Sequence, residues 1–523
     1  MLFIFAIFPT VVSGGSPVHG GRLTVALANP PIHFNPALQS GTLTGLVGTQ
    51  IFAGLLRFDA QGNPQPYLAR DWRISEDGLT VTLHLVENAV FHDGQPITSA
   101  DVAFSMEIVQ KYHPFQNMFA PVVGVDTPAA DTVVIRLQRP HPAILLALSP
   151  ILLPILPRHI YGDGQDILTH PANIQTVGSG PFRLIEYVPG RQIRLQRFEK
   201  FFIPDRPYLD EMVFQIFFDP NEIPQALEHN DIQLLSYSLI LDDLQRLVRQ
   251  GRLVVTRKAY RAVGPMMWLA FNLDQKPFDD LRVRQAFAYA IDRDFIVQTV
   301  MNNTAQKLTG PIVPDNPFYT NQVEDYHRDL AKANLLLDAA GYPRRADGKR
   351  FTLELDYTPD EASLLLPLIQ YLRQDLARGI GVELKIRTAT DFQEWAKWVS
   401  NGNFQATIDI VFTWGDPLIG VHRTYDSRNI KPGLIWSNTQ HYRNPLVDKI
   451  MDSAGSETDF EKRKAWYAQF QQILVRELPV LWISTVPYVT IHHQDLAGLE
   501  EDMWATLGPL DKVYWKNDGG GKK

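Results

Sequence analysis

The 523-residue sequence contains no cysteine. That excludes disulfides, thiolate metal sites, thiol nucleophiles and anchoring through a lipidated N-terminal cysteine. Positive charge is also in deficit: 49 Lys and Arg stand against 57 Asp and Glu, for a formal net charge of -8. Nucleic-acid binding rests on concentrated positive charge, so no nucleic-acid partner is expected. Beyond Val12 no run reaches the roughly 18 uninterrupted apolar residues of a membrane helix. Internal repeats are missing, and the one low-complexity tract is the tail, where residues 517–523 read as disordered. The common enzyme signatures are missing too: no Gly-x-Ser-x-Gly elbow, Walker loop, His-Glu-x-x-His or Gly-x-Gly-x-x-Gly. His19 and the pair His492-His493 are isolated, so neither a metal centre nor a cofactor is expected.

What is present is ordinary globular material, 45% hydrophobic and 20% charged. The length exceeds what one core serves, so two or three domains are expected. Leu2 to Val12 is apolar apart from Pro9-Thr10, and Ser13, Gly14 and Gly15 follow. The stretch is too short to span a bilayer and suits the core of a secretory signal over residues 1–20, although no Lys or Arg precedes it.

Alternation predicts a first strand over 21–27, stopped by Asn29-Pro30-Pro31, and another from Leu79 to Leu85 after the Asp77-Gly78 turn. Thr98 and Asp101 have cap spacing for a helix from Val102. Pro140 to Pro157 is rich in Leu, Ile and Pro and resists assignment. Val283, Ala286, Phe287, Ala290 and Ile291 mark an amphipathic helix capped by Asp279-Asp280. A second helix is expected over Tyr326 to Ala340, and a third from Glu361 to about Ala377. Strands and helices alternate through this half, which indicates an α/β architecture.

These punctuated segments resemble the family 5 solute-binding proteins of ABC importers. The matching blocks are Ile51 to Asp59, Trp72 to Leu85, and Phe91-His92-Asp93-Gly94-Gln95-Pro96. They continue with Val177 to Phe182, Pro207 to Glu211, Phe271-Asn272 with Pro277 to Asp292, and Tyr442 to Asp448. The likeness runs from about residue 21 to about 490. The turn glycines and helix in these blocks are scaffold and do not specify a ligand.

The resemblance implies a periplasmic-binding-protein (flytrap) fold of the large type: two α/β lobes joined by a hinge, plus an inserted extra domain. Lobe I would take 21–57, 178–264 and 488–516, the inserted domain II 58–177, and lobe III 265–487. The implied function is a periplasmic solute-binding subunit of an ABC importer, not an enzyme. It would act as a monomer and deliver its ligand to inner-membrane permease subunits. A peptide or an amino-acid-derived solute such as an opine is the first expectation. A metal chelate, a saccharide or an aromatic solute remains open, as do a sensor role and a hydrolase on the same fold.

By the same resemblance, the strand and loop Phe404 to Arg423 face the ligand. Trp414 and Asp416 would supply a stacking surface and a polar anchor; core packing and a turn before Pro417 are the alternatives. Arg423 could hold a carboxylate or phosphate or sit in a salt bridge. Trp395 and Trp398, with Phe392, fall at helical spacing and suit either the core or a pocket wall. Asn35, Gly41 and Thr42 belong to a loop expected at the cleft mouth. Peptide receptors of the family often place an Asp about three residues before the final acid-Pro turn to bind the peptide ammonium. Here that position is Thr413, and the nearest earlier acid is Asp409.

Overall fold

The computed structural model describes residues 17–39, 41–239, 242–257, 260, 262–499 and 502–517. Most of the expected signal segment, and the tail from 518, lie outside the described residues.

Three larger sheets organise the chain. The first has seven strands, in the order Leu253–Thr256, Val489–His493, Leu234–Ser238, Arg22–Leu27, Glu211–Ile216, Gln192–Arg197 and Phe182–Val188. Arg22–Leu27 lies at its centre, parallel to both neighbours, with Arg22 opposite Glu211. Buried residues from Leu23 to Leu27 occupy both faces of this strand, because helices and loops cover the sheet on either side.

A second sheet has five strands, in the order Val382–Arg387, Phe351–Tyr357, Ala406–Phe412, Pro265–Phe271 and Val480–Thr485. The first three run parallel, whereas Pro265–Phe271 is antiparallel to both its neighbours. The helix Ala362–Ile380 makes the crossover between the two parallel strands Phe351–Tyr357 and Val382–Arg387. It runs to Ile380, past the expected end near Ala377, and stops at Gly381 with φ +72°. The helix expected from Tyr326 begins later, at Leu330, where the Asp329 side chain accepts from the Lys332 amide. Tyr326 is instead buried, and its hydroxyl donates to the Val475 carbonyl. The helix Leu281–Ala290 is capped by Asp280. That of Ser99–Tyr112 opens on the Thr98 amide donating to Asp101.

The third sheet is antiparallel, in the order Ala69–Ile74, Thr80–Leu85, Thr132–Leu137 and Val122–Ala129. It shares one hydrophobic core with the seven-stranded sheet, through Leu23 and Val25 on one side and Val81, Leu83 and Ile135 on the other. The Pro140–Pro157 region has one short helix, Ile144–Ala147, and then runs as a buried irregular strap. Backbone hydrogen bonds tie it to a distant segment: the Leu55 and Leu56 amides donate to the Leu148 carbonyl, and the Ile155 amide to that of Ala53. The seam closes at Gly178, where a Cβ would fall 2.0 Å from the Ile51 carbonyl oxygen. No side chain fits there.

The five-stranded sheet has its own core. The chain enters this part at Gly264-Pro265 and leaves it after Val486, whose amide donates to the Pro265 carbonyl at 3.1 Å. Among the described residues no helix is long and apolar enough to cross a membrane. No group of three or more His, Asp or Glu among them is arranged to hold a metal ion.

Candidate functional site

Where the two larger sheets face each other, a cavity of about 400 Å³ opens. Its walls follow from topology. In open α/β sheets, ligands collect beyond the carboxyl ends of parallel strands, where loops diverge and backbone dipoles are unpaired. Arg22–Leu27 ends into the wall residues Asn29, Pro30, Pro31 and Ile32. Phe351–Tyr357 ends into Thr358, Asp360 and Glu361. The loop after Val382–Arg387 brings Asp391 and Phe392, and Ala406–Phe412 brings Ile410, Phe412 and, just beyond it, Trp414. Phe115, just before the short helical turn Gln116–Phe119, adds a further ring.

The structure divides the candidate residues into two sets. Gly41, Thr42, Trp414 and Arg423 line the cavity. Gly41 and Thr42 do so at the start of the helix Thr42–Ile51. Trp414 is 1% exposed and adopts φ +51°, in the left-handed region that bulky residues avoid. Its ring lies 5.4 Å from that of Phe115 and 6.0 Å from those of Phe412 and Trp504. The same indole therefore serves the core and the cavity wall. Arg423 is buried, with Nη1 donating to the Trp436 carbonyl and Nη2 to that of Phe412. Its guanidinium sits 4.3 Å from the centre of the Phe115 ring, and Nε has no partner. Burial pulls its pKa down to about 9, against the pull of Tyr425 and Asp409.

The others are committed elsewhere. Asp416 is not a free anchor: its two oxygens accept from Arg463 Nη1 and Nη2 at 2.7 and 2.6 Å, and it also accepts from the Leu418 amide. Burial pushes this carboxyl up, but Arg463 outweighs it and holds the group below the usual range. Thr413 packs at the crossing between sheets, its amide donating to the Val263 carbonyl at 2.8 Å. Trp395 is fully buried, with Nε1 donating to Thr407 Oγ1. Trp398 lies under the Arg387 guanidinium at 4.2 Å. Asn35 is buried and holds its loop through Asn173 and the Ala37 amide. None of these five lines the cavity, and each has a packing or bonding role that accounts for its position.

Asp409 also lies off the wall. It is 3% exposed and its Oδ1 has no partner. Burial raises its pKa to about 8, although Arg423 opposes this. The folded state thus keeps a proton that the unfolded chain releases near pH 4. The stabilisation is full below that pH and fades as pH rises through about 8. Over this window the wild type should lose stability relative to Asp409→Asn, at up to ~1.4 kcal/mol per pH unit. Urea melts at about pH 5 and pH 8 check this; parallel pH profiles for the two proteins would contradict it.

Sequence reasoning missed Thr358, Asp360, Glu361 and Asp391. The acids look like ordinary helix-start residues, and Asp391 does cap the helix Phe392–Ser400. The signal that could have found them is their position just after parallel strands. Glu361 accepts from the Tyr488 hydroxyl at 3.0 Å. Burial raises its pKa to about 7, with Tyr488 lowering and Asp360 raising it further.

Comparison with known proteins settles the lineage. The family of bacterial extracellular solute-binding proteins, family 5 (middle), matches residues 63–432. The chain belongs to this family. The glutathione-binding protein GsiB of Salmonella typhimurium is 27% identical over 491 residues, covering 91% of each chain. GsiB of Pectobacterium atrosepticum is 25% identical over 506 residues, covering 94% of this chain and 93% of that protein. The oligopeptide-binding protein AppA of Bacillus subtilis, solved with a nonapeptide, superposes with a TM-score of 0.84 at 22% identity. That match covers 96% of this chain and all of AppA (100%). NikZ of Campylobacter jejuni, solved with Ni(L-His), gives 0.81 at 23% identity, covering 93% and 97%. These structures share the fold: two α/β lobes facing across a cleft, with an extra domain. Family 5 proteins are substrate-binding subunits of ABC importers that work with permease subunits, and this chain is one of them, not an enzyme.

Proposed function

We propose that the chain captures a peptide or an amino-acid-derived solute in the cavity between its lobes and presents it to the permease from the periplasm, as a monomer. Lobe I would comprise 21–57, 178–264 and 488–516, the inserted domain 58–177, and the opposing lobe 265–487. The observation that carries the ligand reading is the polarity of the cavity. Carboxylates from 360, 361 and 391 occupy one wall and the Arg423 guanidinium another, with aromatic rings around them. A solute with a cationic and an anionic end over a short apolar body fits this lining. The glutathione-binding and peptide-binding relatives favour the same class.

A ligand that binds the native state alone stabilises it by RT ln(1 + [L]/Kd), about 2.7 kcal/mol at a hundredfold excess over Kd. Thermal melts with glutathione, di- and tripeptides, opines, disaccharides and a nickel–histidine chelate should show such a shift for a peptide or amino-acid derivative. A shift confined to saccharides or to the chelate would reassign the ligand. No shift from any class would contradict capture of these solutes.

A further inference from the structure

The acidic wall of the cavity has an uneven partner list. The Glu361 carboxylate is held by the Tyr488 hydroxyl. One oxygen of Asp391 accepts from the Glu394 amide at 2.9 Å. Asp360 makes neither a hydrogen bond nor an ion pair among the described residues, and burial together with the nearby Asp391 charge raises its pKa. Beside it stands Thr358, 5% exposed and on the same cavity, with an Oγ1 that has no hydrogen-bond partner. A buried hydroxyl left unpaired costs free energy, and so do neighbouring like charges. Both costs vanish if a cation bearing several N–H donors sits among them. Arg423 is the one basic side chain among the described residues of the lining, and its Nη groups are already spent on carbonyls. None of the described residues therefore supplies such a cation on this wall.

We infer that Asp360 and Asp391, with the Thr358 hydroxyl, form the subsite for an ammonium or guanidinium group of the solute. This rests on the capture reading above. It moves the cation anchor from the strand end at 409–416 to the loops that follow the two neighbouring parallel strands. The buried Arg423 charge borders the same cavity and favours an anionic end there, and Phe392, Phe412 and Trp436 flank the body between. The ligand class is then a compact zwitterion, of a size that about 400 Å³ can hold.

The test is calorimetry and thermal melting with trialanine, N-acetyl-trialanine, agmatine and maltose, on the wild type and on the double variant Asp360→Asn/Asp391→Asn. Asn caps a helix about as well as Asp and removes the like-charge repulsion, so the ligand-free variant should melt with the wild type or slightly above it. We expect trialanine to bind the wild type, with acetylation and the double substitution each weakening binding about ten- to a hundredfold. Equal binding of free and acetylated peptide, or wild-type affinity in the variant, overturns the subsite and leaves solute capture standing. Binding of maltose with none from either amine does the same. No binding by any probe contradicts both the subsite and the peptide reading.

Discussion

Asp416→Ala is expected to destabilise the folded protein by about 3–5 kcal/mol, because it strands Arg463 in the interior without a counter-charge. Arg463 has only 5% of its side chain exposed and Asp416 13%, and the pair is bidentate. The same carboxylate caps the short helix Pro417–Gly420, so a capping loss of about 1 kcal/mol is part of the total. Arg463→Met should cost a similar amount by leaving the carboxylate buried alone. The double variant should lose clearly less than the sum, since no uncompensated charge remains. Because the folded carboxyl titrates below the usual range, this contribution is present at neutral pH. It is lost as pH falls through the folded value. Urea melts of the two single variants and the double variant read all of this. A single variant with wild-type stability and abolished ligand binding would restore Asp416 as a ligand anchor.

Trp414→Ala should cost about 3–5 kcal/mol of stability as well, through the cavity left among Phe115, Phe412 and Trp504. It should also weaken binding, since the indole borders the cavity. Trp414→Phe separates the two roles. A smaller ring keeps much of the packing but gives a stacked solute less surface, so affinity should fall more than stability. Melts and titrations of both variants check this. If Ala at 414 destabilises as stated and leaves affinity unchanged, the indole is core alone.

The split between what could and could not be read from the sequence has a physical pattern. The Asp280 cap, the Thr98–Asp101 cap and the strand alternation near Leu83 depend on local contacts, and they appear in the structure where the residue pattern puts them. The Pro140–Pro157 strap resisted assignment because its backbone is satisfied by distant segments, such as Ala53 and Leu55, and not by a regular ladder. At the site, Trp414 and Arg423 reach the cavity because a strand end and its loop carry them there. Asp416 goes elsewhere because a partner 47 positions along the chain, Arg463, claims it. No spacing rule reports such a partner. The acids at 360 and 391 were hidden for the opposite reason. Each has a sufficient local role at a helix start, and only the parallel order of their strands brings them to one cavity.

The central claim is that one solute bridges both lobes in this cavity, and hydrogen–deuterium exchange with and without the strongest-shifting solute of the melting panel tests it most directly. The account predicts simultaneous protection in residues 29–39 and 41–44 of the first lobe and in 358–361, 391–393 and 410–414 of the opposing lobe. Protection confined to one lobe, or centred on the separate pocket bordered by Arg57, Asp502 and Pro509, would contradict it.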